Sequence, residues 1–406
     1  MSKPRALVVG GSVGGLFAAN LLRSTGWDVT VYERFAGSLA DRGAGVGTRE
    51  ELFTVMRRLG IKVDRGMTVE VHGRLGLDRD GTVRHEFPAR SITSAWARIW
   101  QPMRDALPPE CYCGGATLER IDQDGASVTA HFTDGRTATG DLLVGADGPL
   151  STVRAQILPD LTPTPAPYIA WRGVVDRNRL SPHAEMLDHM VFGFPPGELM
   201  LSIPMPAPQQ CAGDDGDSRC HFIWFRPLKN AALSDLCIDT PDAWDGAWIM
   251  EPNIQPDALA ALKVDAKELL PPQLAMLVDA ASQIILQPIF DLQSPRLVFG
   301  RVVLLGDAAF IARPHVATGV MKAALDAERL ADALAGTTDD LAVALAGYDH
   351  ERRMFGDWLV TRGRHIASYF EAGERGTGQD HIEALLREYG AAGVVADEPI
   401  TVRQLG

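Results

Sequence analysis

Residues 6–22 read ALVVGGSVGGLFAANLL and decide how the fold begins. An apolar run that follows Lys3 and Arg5 is also typical of a secretion signal, and its length is close to that of a membrane span. However, four glycines stand within six positions, and glycine destabilises an apolar helix and adopts backbone conformations that other residues avoid. We therefore interpret the run as a short buried strand, a tight turn and the start of a helix.

This turn fits the dinucleotide-binding pattern G-x-G-x-x-G at Gly10, Ser12 and Gly15. Gly10 suits the tight turn and Gly15 lets the helix pack on the strand, whereas Ser12 replaces the middle glycine with a small hydroxyl side chain. The helix start offers N–H groups and a partial positive charge to a phosphate. Glu33 follows about twenty residues later, where an acid accepts hydrogen bonds from ribose. The alternative is a structural glycine turn followed by an ordinary surface glutamate.

Composition and charge restrict the class of protein. The 406 residues suffice for two or three domain-sized units, and 46% hydrophobic with 22% charged residues is ordinary for a soluble protein. The formal net charge of −13 argues against nucleic acid or an anionic membrane as a partner, because both bind basic surfaces. A small ligand is not excluded, since its site can be locally basic.

The five cysteines form an odd, sparse set, which favours reduced thiols and a cytoplasmic protein. Cys111 and Cys113 are two positions apart, but no second pair stands at the spacing of zinc ligands. On a strand their side chains would share one face, so we interpret them as packing residues and expect no metal site.

The order of elements predicts an α/β unit that is interrupted and then resumed. Residues 6–35 read as strand, turn, helix and strand, and helices are expected over 51–60 and 95–107. Asp80-Gly81 and Asp134-Gly135 are typical of hairpin turns. The remaining pattern is a proline-rich connection at 159–167, an all-β stretch from 168 to about 227, a mostly helical stretch at 240–290, a buried strand near 302, a helical region from about 319 to 371, and weak periodicity over 372–406.

Two further turns each carry one carboxylate after a buried strand. They are DLLVGADGPLSTVR at 141–154, with Asp147, and GRVVLLGDAAFIARPHVATGV from residue 300, with Asp307. Asp307 could reach a sugar or ribityl hydroxyl, and the turn RPHVATG leads into another helix start at Gly319. Taken singly, such strand and Gly-Asp turns are common structural features.

Taken together and in this order, the three turns resemble the group A flavoprotein aromatic monooxygenases, the para-hydroxybenzoate hydroxylase type. The resemblance covers about residues 5–335, with weak identity between the motifs. WRG at 171–173 and RPHVATG at 313–319 resemble the 2,6-dihydroxypyridine 3-hydroxylase branch. The resemblance implies a discontinuous Rossmann-like FAD-binding domain (1–70, 91–165 and 285–340), a β-rich substrate domain (71–90 and 166–284) and a C-terminal helical segment (341–406).

The resemblance also implies a set of residues that hold FAD. Its members are Gly10, Ser12, Val13, Gly14, Gly15, Glu33 and Arg34 at the adenosine end, Arg42 near the flavin, Asp147 and Gly148 at the pyrophosphate, Gly306 and Asp307 on the ribityl chain, and Pro314, His315, Thr318, Gly319 and Val320 along the isoalloxazine. The arginine that the family often carries after residue 90 has no clear counterpart. Trp96, Arg98 and Arg104 stand nearby, and we assign Arg104 to the cofactor.

The chemistry that the resemblance implies is ring hydroxylation. NADH or NADPH reduces FAD, O2 forms a C4a-hydroperoxyflavin, and an oxygen atom passes to an electron-rich phenol or hydroxypyridine. A nicotinamide cofactor would bind transiently, which fits the lack of a second G-x-G-x-x-G. We also expect a homodimer.

The substrate must be deprotonated, so a base is expected near the ring. The β-rich segment offers Tyr168, Trp171, Arg172, His189, Phe192, Phe194, His221 and Trp224. We select His315, His189 and Tyr168 for catalysis and Trp171, Phe192, Phe194 and Trp224 for the substrate. Core packing or a structural role is the alternative for each. On its strand His221 shares one face with Ile223 and Phe225, and Trp224 lies on the other; the pattern leaves open which face meets the flavin.

Two other functions compete with hydroxylation. One is a flavoprotein oxidase or dehydrogenase that inserts no oxygen, which the fate of O2 would distinguish. The other is a non-catalytic flavin-binding or redox-sensing protein. The intact turns at Asp147 and Asp307 argue against that alternative.

Overall fold

The computed structural model describes residues 3–40, 45–180, 183, 188–207, 218–228, 233–238, 248–336, 341–371 and 379–389. Its strands in chain order are β1 Arg5–Val9, β2 Asp28–Glu33, β3 Gly45–Thr48, β4 Thr68–Val71, β5 Gly73–Leu77, β6 Val83–Phe87, β7 Ser91–Ala95, β8 Tyr112–Gly114, β9 Leu118–Gln123, β10 Val128–Phe132, β11 Thr137–Gly140, β12 Leu142–Gly145, β13 Thr164–Asp176, β14 His189–Gly193, β15 Leu199–Pro206, β16 Ser218–Pro227, β17 Ile249–Met250, β18 Ile284–Gln293, β19 Val298–Phe299, β20 Val302–Leu304 and β21 Phe310–Ile311. Its helices are α1 Val13–Ser24, α2 Glu50–Arg58, α3 Trp96–Asp105, α4 Thr152–Ile157, α5 Pro256–Leu269, α6 Pro272–Ala280, α7 Gly319–Leu334, α8 Leu341–Glu371 and α9 Gln379–Glu388.

The opening stretch folds as strand, turn and helix. Gly10 has φ +109°, and a Cβ at this position would collide with the carbonyl of Ala146. A Cβ at Gly15 would collide with the carbonyl of Gly10, so α1 crosses β1 at a distance that only glycine permits. The two outer glycines of the motif are therefore required by backbone packing. Within the described ranges, no helix combines the length and hydropathy needed to cross a bilayer.

A six-stranded sheet is assembled from distant parts of the chain, in the order β19-β20-β12-β1-β2-β8. β1 runs parallel to β2 and β12, and β20 and β8 extend the parallel part on either side. Because parallel strands end at one edge, the turns after β1, β12 and β20 meet there. Their apolar residues, together with α1, α2, α3 and α7, form one continuous core.

A larger mixed sheet follows the path β17-β18-β13-β16-β15-β14-β5-β6, with β21 paired to β18. β13 and β16 lie at its centre and pair antiparallel, placing Trp171 opposite Trp224 and Val174 opposite His221. One face of this sheet packs on α5 and α6, and the other packs on α8, α9 and the turn at Val316. The central strands β13, β15 and β16 are therefore largely buried on both faces, with different neighbours on each.

Local sequence signals mark most element ends correctly. Both expected hairpins are present, with Gly81 at φ +91° and Gly135 at φ +85°. The proline-rich connection is shorter than expected, because β13 begins at Thr164 and pairs there with Asp291. β18, Ile284–Gln293, belongs to the larger sheet, and the division of the chain into an FAD-binding and a substrate domain stays a prediction.

Candidate functional site

A cavity of about 1800 Å³ lies between the carboxyl edge of the six-stranded sheet and one face of the larger sheet. Typical small-molecule pockets hold roughly 300–1,000 Å³, so this cavity has room for a dinucleotide and a second ligand. The turns after β1, β12 and β20 supply one wall, and residues of β13, β16 and β18 supply the opposite wall. The topology thus places the three sequence motifs at one site.

The turn after β1 forms the first end of the cavity. Ser12 is exposed and makes no capping hydrogen bond, and the first amide with an intrahelical acceptor is that of Leu16, which donates to the Ser12 carbonyl at 3.0 Å. The amides from Ser12 to Gly15 precede this first helical hydrogen bond and are available to an anion. Glu33 accepts hydrogen bonds from the amides of Gly11 at 2.6 Å and Phe35 at 2.9 Å. Gly10, Val13, Gly14 and Arg34 also line this end.

The turn after β12 is held by its own carboxylate. Ser151 Oγ donates to Asp147 Oδ1 at 2.5 Å, and the Val153 amide donates to Oδ2 at 3.1 Å. Burial raises the pKa of Asp147, and these two hydrogen bonds act in the opposite direction. Gly148 has φ +80°, and a Cβ there would meet no described atom within 4 Å, so its backbone faces open space. Asp147 thus shapes the turn while Gly148 leaves room for a ligand.

The turn after β20 contains an ion pair at the cavity wall. Lys322 Nζ lies 2.7 Å from Asp307 Oδ1 and also donates to the Phe310 carbonyl. The Lys322 side chain is 1% exposed, whereas that of Asp307 is 49% exposed and lies in the cavity lining. The Gly306 amide donates to Asp326 Oδ2 at 3.0 Å. This network fixes the turn from α7 and leaves Asp307 with accessible lone pairs.

The segment before α7 lines the middle of the cavity. Ala317 adopts φ +53°, a left-handed conformation that is strained for a residue with a Cβ. Thr318 is 2% exposed, and its hydroxyl has no hydrogen-bond partner among the described residues. Gly319 has no described atom within 4 Å of a built Cβ. The unpaired Thr318 hydroxyl and the free space beside Gly319 would suit a ligand whose aromatic ring carries polar atoms at its edge. Pro314 and Val320 also line this part.

His315 lies behind this segment rather than in the cavity wall. It is fully buried, its Nε2 shares a 2.7 Å hydrogen bond with the Tyr168 hydroxyl, and its ring lies 4.4 Å from that of Phe225. Burial lowers the pKa of His315 well below the ordinary value, and the nearby charges of Arg313 and Arg172 lower it further. His315 is therefore neutral at pH 7. Neither it nor Tyr168 belongs to the cavity lining, so the structure does not place these two candidates against a ligand.

The arginines assigned to the cofactor occupy different places. Arg42 lies outside the described residues. Arg104 stacks on Tyr112, with 4.3 Å between its guanidinium carbon and the ring centroid, and donates to the Leu107 carbonyl at 3.1 Å. Arg98 donates to the Ala207 carbonyl at 2.9 and 2.7 Å. Trp96 lines the cavity, but Arg98 and Arg104 do not, because α3 directs them to its other sides.

The aromatic residues chosen for the substrate lie away from the cavity. Trp171 and Trp224 face α5 and α6, because alternate residues of a strand point to opposite faces. Phe192 packs on Tyr389, with 5.4 Å between ring centroids, and Phe194 stacks on Phe192 at 6.3 Å. His189 lies at the start of β14, 6.1 Å from the His72 ring. None of these five residues lines the cavity.

The cavity-facing side of the larger sheet carries a different polar set. Arg172, His221 and Gln287 line the cavity from β13, β16 and β18. His221 is 0% exposed, and neither ring nitrogen has a hydrogen-bond partner among the described residues. Burial, and then the charge of Arg172, lower the pKa of His221 well below its ordinary value. His221 is therefore neutral at pH 7 and can accept or donate a hydrogen bond.

Sequence reasoning named Arg172 and His221 but selected their neighbours. The sequence did not show which face of β13 and β16 meets the cavity. The register of these two strands and the cavity lining identify it as the face of His221, Ile223 and Phe225. Gln287, Trp248 and Tyr389 also line the cavity and were not predicted. These residues come from segments with no recognisable motif, so no local signal could have found them.

No group of three His, Cys, Asp or Glu side chains suited to a metal ion occurs among the residues that the structure describes. Cys111 and Cys113 pack against the main core, and Arg136 Nη1 donates to Cys113 Sγ at 2.7 Å.

Comparison with known proteins gives two overlapping family matches. The family described as FAD binding domain matches residues 3–212, and the family described as FAD binding domain-like matches residues 165–291. Together these matches cover both the nucleotide-binding turns and the central strands of the larger sheet.

Individual relatives match over nearly the whole chain. A 2,6-dihydroxypyridine 3-monooxygenase from Paenarthrobacter nicotinovorans is 28% identical, covering 91% of this chain and 92% of the relative. A 6-hydroxynicotinate 3-monooxygenase from Pseudomonas fluorescens is 27% identical over 82% of each chain. The solved structure of 2,6-dihydroxypyridine-3-hydroxylase from Arthrobacter nicotinovorans superposes with a TM-score of 0.84 at 28% identity, covering 94% of this chain and 96% of that one.

Proposed function

This chain belongs to the FAD binding domain family, and from that premise we propose that it is an FAD-dependent, NAD(P)H-consuming monooxygenase of electron-rich aromatic or N-heteroaromatic rings. The observation that carries the proposal is the convergence of the turns at Gly10, Asp147 and Asp307 on one cavity whose opposite wall carries Arg172, His221 and Gln287. The named relatives are oxygen-inserting enzymes, which favours oxygen insertion over an oxidase or dehydrogenase activity.

The residues present fit FAD. The open amides after Gly11 would hold the pyrophosphate, Glu33 the adenosine ribose, and Asp307 the ribityl chain, while Thr318 and Gly319 would border the isoalloxazine. The bound flavin supplies the redox chemistry, accepting hydride from NAD(P)H and activating O2. The protein contributes position, electrostatics and exclusion of water.

The opposite wall provides the groups for the ring that is hydroxylated. His221 is neutral and can accept a hydrogen bond or proton from a ring hydroxyl. Arg172 and Gln287 lie on the same sheet face, and Arg172 stands between the apolar side chains of Ile223 and Ile285. His315 and Tyr168 support the segment at Pro314 from behind. We therefore assign substrate contact to Arg172, His221 and Gln287 rather than to Trp171, Phe192, Phe194 and Trp224.

The test is incorporation of oxygen from 18O2. Purified holoenzyme with NADH or NADPH is assayed with 2,6-dihydroxypyridine, 6-hydroxynicotinate and simple phenols, and products are analysed by mass spectrometry. A ring hydroxyl that carries 18O supports the proposal. NAD(P)H oxidation that returns all O2 as H2O2 with every ring compound would instead support an oxidase.

We also propose a cytoplasmic homodimer. Cys111, Cys113, Cys220 and Cys237 carry no disulfide, which fits a reducing compartment. The resemblance to group A hydroxylases supports the dimer. Light scattering should give twice the chain mass of 43.9 kDa, and a monomeric mass at working concentrations would contradict this assignment.

A further inference from the structure

Arg172 is a buried cation at the cavity wall. It lies on β13, which is hydrogen-bonded to β16 on one side and β18 on the other, so its backbone is held firmly. The residue is 7% exposed, and its Nε has no hydrogen-bond partner. Its guanidinium lies 5.0 Å above the ring centroid of Trp248. No carboxylate of the described residues forms an ion pair with it.

Each of the other buried arginines in the described part of the chain has a carboxylate or carbonyl acceptor, and Arg172 has neither. Arg74, which also lines the cavity, donates to the carbonyls of Leu386 and Arg387. Arg313 is paired with Asp291 and Glu371, and Arg352 is paired with Asp326. Arg154 donates to the carbonyls of Ala308 and Pro149. Burying an uncompensated charge is costly, so such a group normally has a partner. Burial lowers the pKa of Arg172 to about 10, which still leaves it charged at pH 7.

The residues around Arg172 indicate which kind of ligand would neutralise its charge. Ile223 and Ile285 stand directly opposite Arg172 on the two neighbouring strands and offer flat apolar surface. Two unsatisfied polar groups share this wall, the imidazole of His221 and the Oε1 of Gln287. A planar molecule with one negative charge and further hydrogen-bonding atoms would satisfy all of these groups together.

We propose that Arg172 binds the anionic oxygen of the substrate, and that the substrate is a planar aromatic or N-heteroaromatic ring bearing a carboxylate or a ring oxyanion. His221 and Gln287 hydrogen-bond the other polar atoms of the ring. The inference rests on the proposed function, since it names the substrate class of the same cavity.

The first experiment needs no variant. Oxidised holoenzyme is titrated with 6-hydroxynicotinate, with its neutral isostere 6-hydroxynicotinamide, and with 2,6-dihydroxypyridine, and binding is followed by the change in flavin absorbance. A carboxylate-binding site should favour 6-hydroxynicotinate over the amide at least tenfold. A ring-oxyanion site should favour 2,6-dihydroxypyridine over both, and more strongly as the pH rises through its ionisation. Equal dissociation constants for all three would overturn the proposal.

The second experiment removes the charge. Arg172→Gln should raise the dissociation constant of the preferred anion roughly 10- to 100-fold, because a charge-assisted hydrogen bond is lost, and that of the neutral amide less than about threefold. Arg172→Lys should retain part of the preference for the anion. Arg219→Gln is the matched control, because Arg219 also lies along the cavity but is already paired with Asp176 at 2.6 Å.

Two results separate this inference from the proposed function. If the protein hydroxylates a ring with 18O2 but Arg172→Gln weakens neutral and anionic ligands equally, the charge-recognition inference fails and the monooxygenase stands. If no ring compound is hydroxylated, the proposed function fails even where anions bind. FAD content of each variant shows that the fold is retained; should Arg172→Gln not fold, the comparison of acid and amide in the unaltered protein remains decisive.

Discussion

Single side chains supply the hydrogen-bonding groups of this cavity. The ion pair of Asp307 and Lys322 is one example. Lys322 is buried and fixed by the Phe310 carbonyl, so it holds Asp307 in one orientation at the cavity wall. The carboxylate keeps lone pairs that can accept hydrogen bonds from a ribityl hydroxyl. The ion pair therefore fixes the orientation of the Asp307 carboxylate. Sequence spacing alone could not identify Lys322 as the partner of Asp307.

Replacement of Asp307 should weaken FAD binding. Asp307→Asn removes a charge-assisted hydrogen bond that contributes about 1.5–3 kcal/mol, equivalent to roughly a ten- to hundredfold rise in the dissociation constant. Quenching of FAD fluorescence on titration into apoprotein measures the effect. Asp332→Asn is a suitable control, because Asp332 pairs with Arg58 on an exposed part of α7. Unchanged FAD affinity in a folded Asp307→Asn protein would show that the residue is only structural.

The buried histidines predict the direction of a pH effect on stability. Burial lowers the pKa of His221 and His315 in the folded protein, so the unfolded chain binds protons more readily below about pH 6.5. The free energy of unfolding should then fall with acidification, by about 1.4 kcal/mol in total between pH 7.5 and 5.5 for each such histidine. Urea unfolding between pH 7.5 and 5.5 tests this. His221→Asn should show a shallower loss, and a slope identical to that of the unaltered protein would contradict the assignment.

At the scale of elements, the segment between β21 and α7 contacts the larger sheet on one side and the cavity on the other. His315 and Tyr168 share a hydrogen bond that ties Pro314–Val316 to β13, while Thr318 and Gly319 face the cavity from the same short stretch. Because this short stretch is hydrogen-bonded to β13, the larger sheet fixes the position of Thr318 and Gly319, which would border the flavin ring.

His315 is accordingly expected to support the cofactor site from behind. His315→Asn and Tyr168→Phe each break the 2.7 Å hydrogen bond, and both should lower FAD occupancy. The ratio of hydroxylated product to NAD(P)H consumed should stay constant for the occupied fraction. This ratio, measured against H2O2 release, distinguishes support from catalysis. A selective fall in coupling with full FAD content would restore His315 as a group that acts on the reacting atoms.

Elements also explain how much of the site could be predicted. The turns at Gly10, Asp147 and Asp307 are local patterns that are ambiguous singly but specific when they occur together in this order, so the nucleotide end of the cavity could be predicted from sequence. The substrate end depends on strand alternation, where a one-residue choice exchanges Trp171 for Arg172. Tyr389 and Trp248 reach the cavity only through tertiary packing. Arg104 follows residue 90 at a distance that suits the family's arginine, but it stacks on Tyr112 on a side of α3 that does not line the cavity.

At the scale of the whole molecule, the cavity separates two sheets with their own cores. A ligand that fills the cavity would contact both sheets, so FAD should act as a structural component as well as a redox group. No motif for covalent flavin attachment is apparent in the sequence. We therefore expect FAD to be bound non-covalently and to link the stability of the two halves.

Removal of FAD should lower the thermal midpoint, and added FAD should restore it in a concentration-dependent manner. A ligand at 100 times its dissociation constant stabilises the folded state by about 2.7 kcal/mol, and each tenfold increase adds about 1.4 kcal/mol. Thermal unfolding of apoprotein over a series of FAD concentrations measures this dependence, with riboflavin as the control that lacks the pyrophosphate and adenosine. Acid precipitation should release the yellow chromophore to the supernatant. Chromophore retained in the pellet would contradict non-covalent binding, and a midpoint that is insensitive to FAD would contradict the assignment of the cavity to this cofactor.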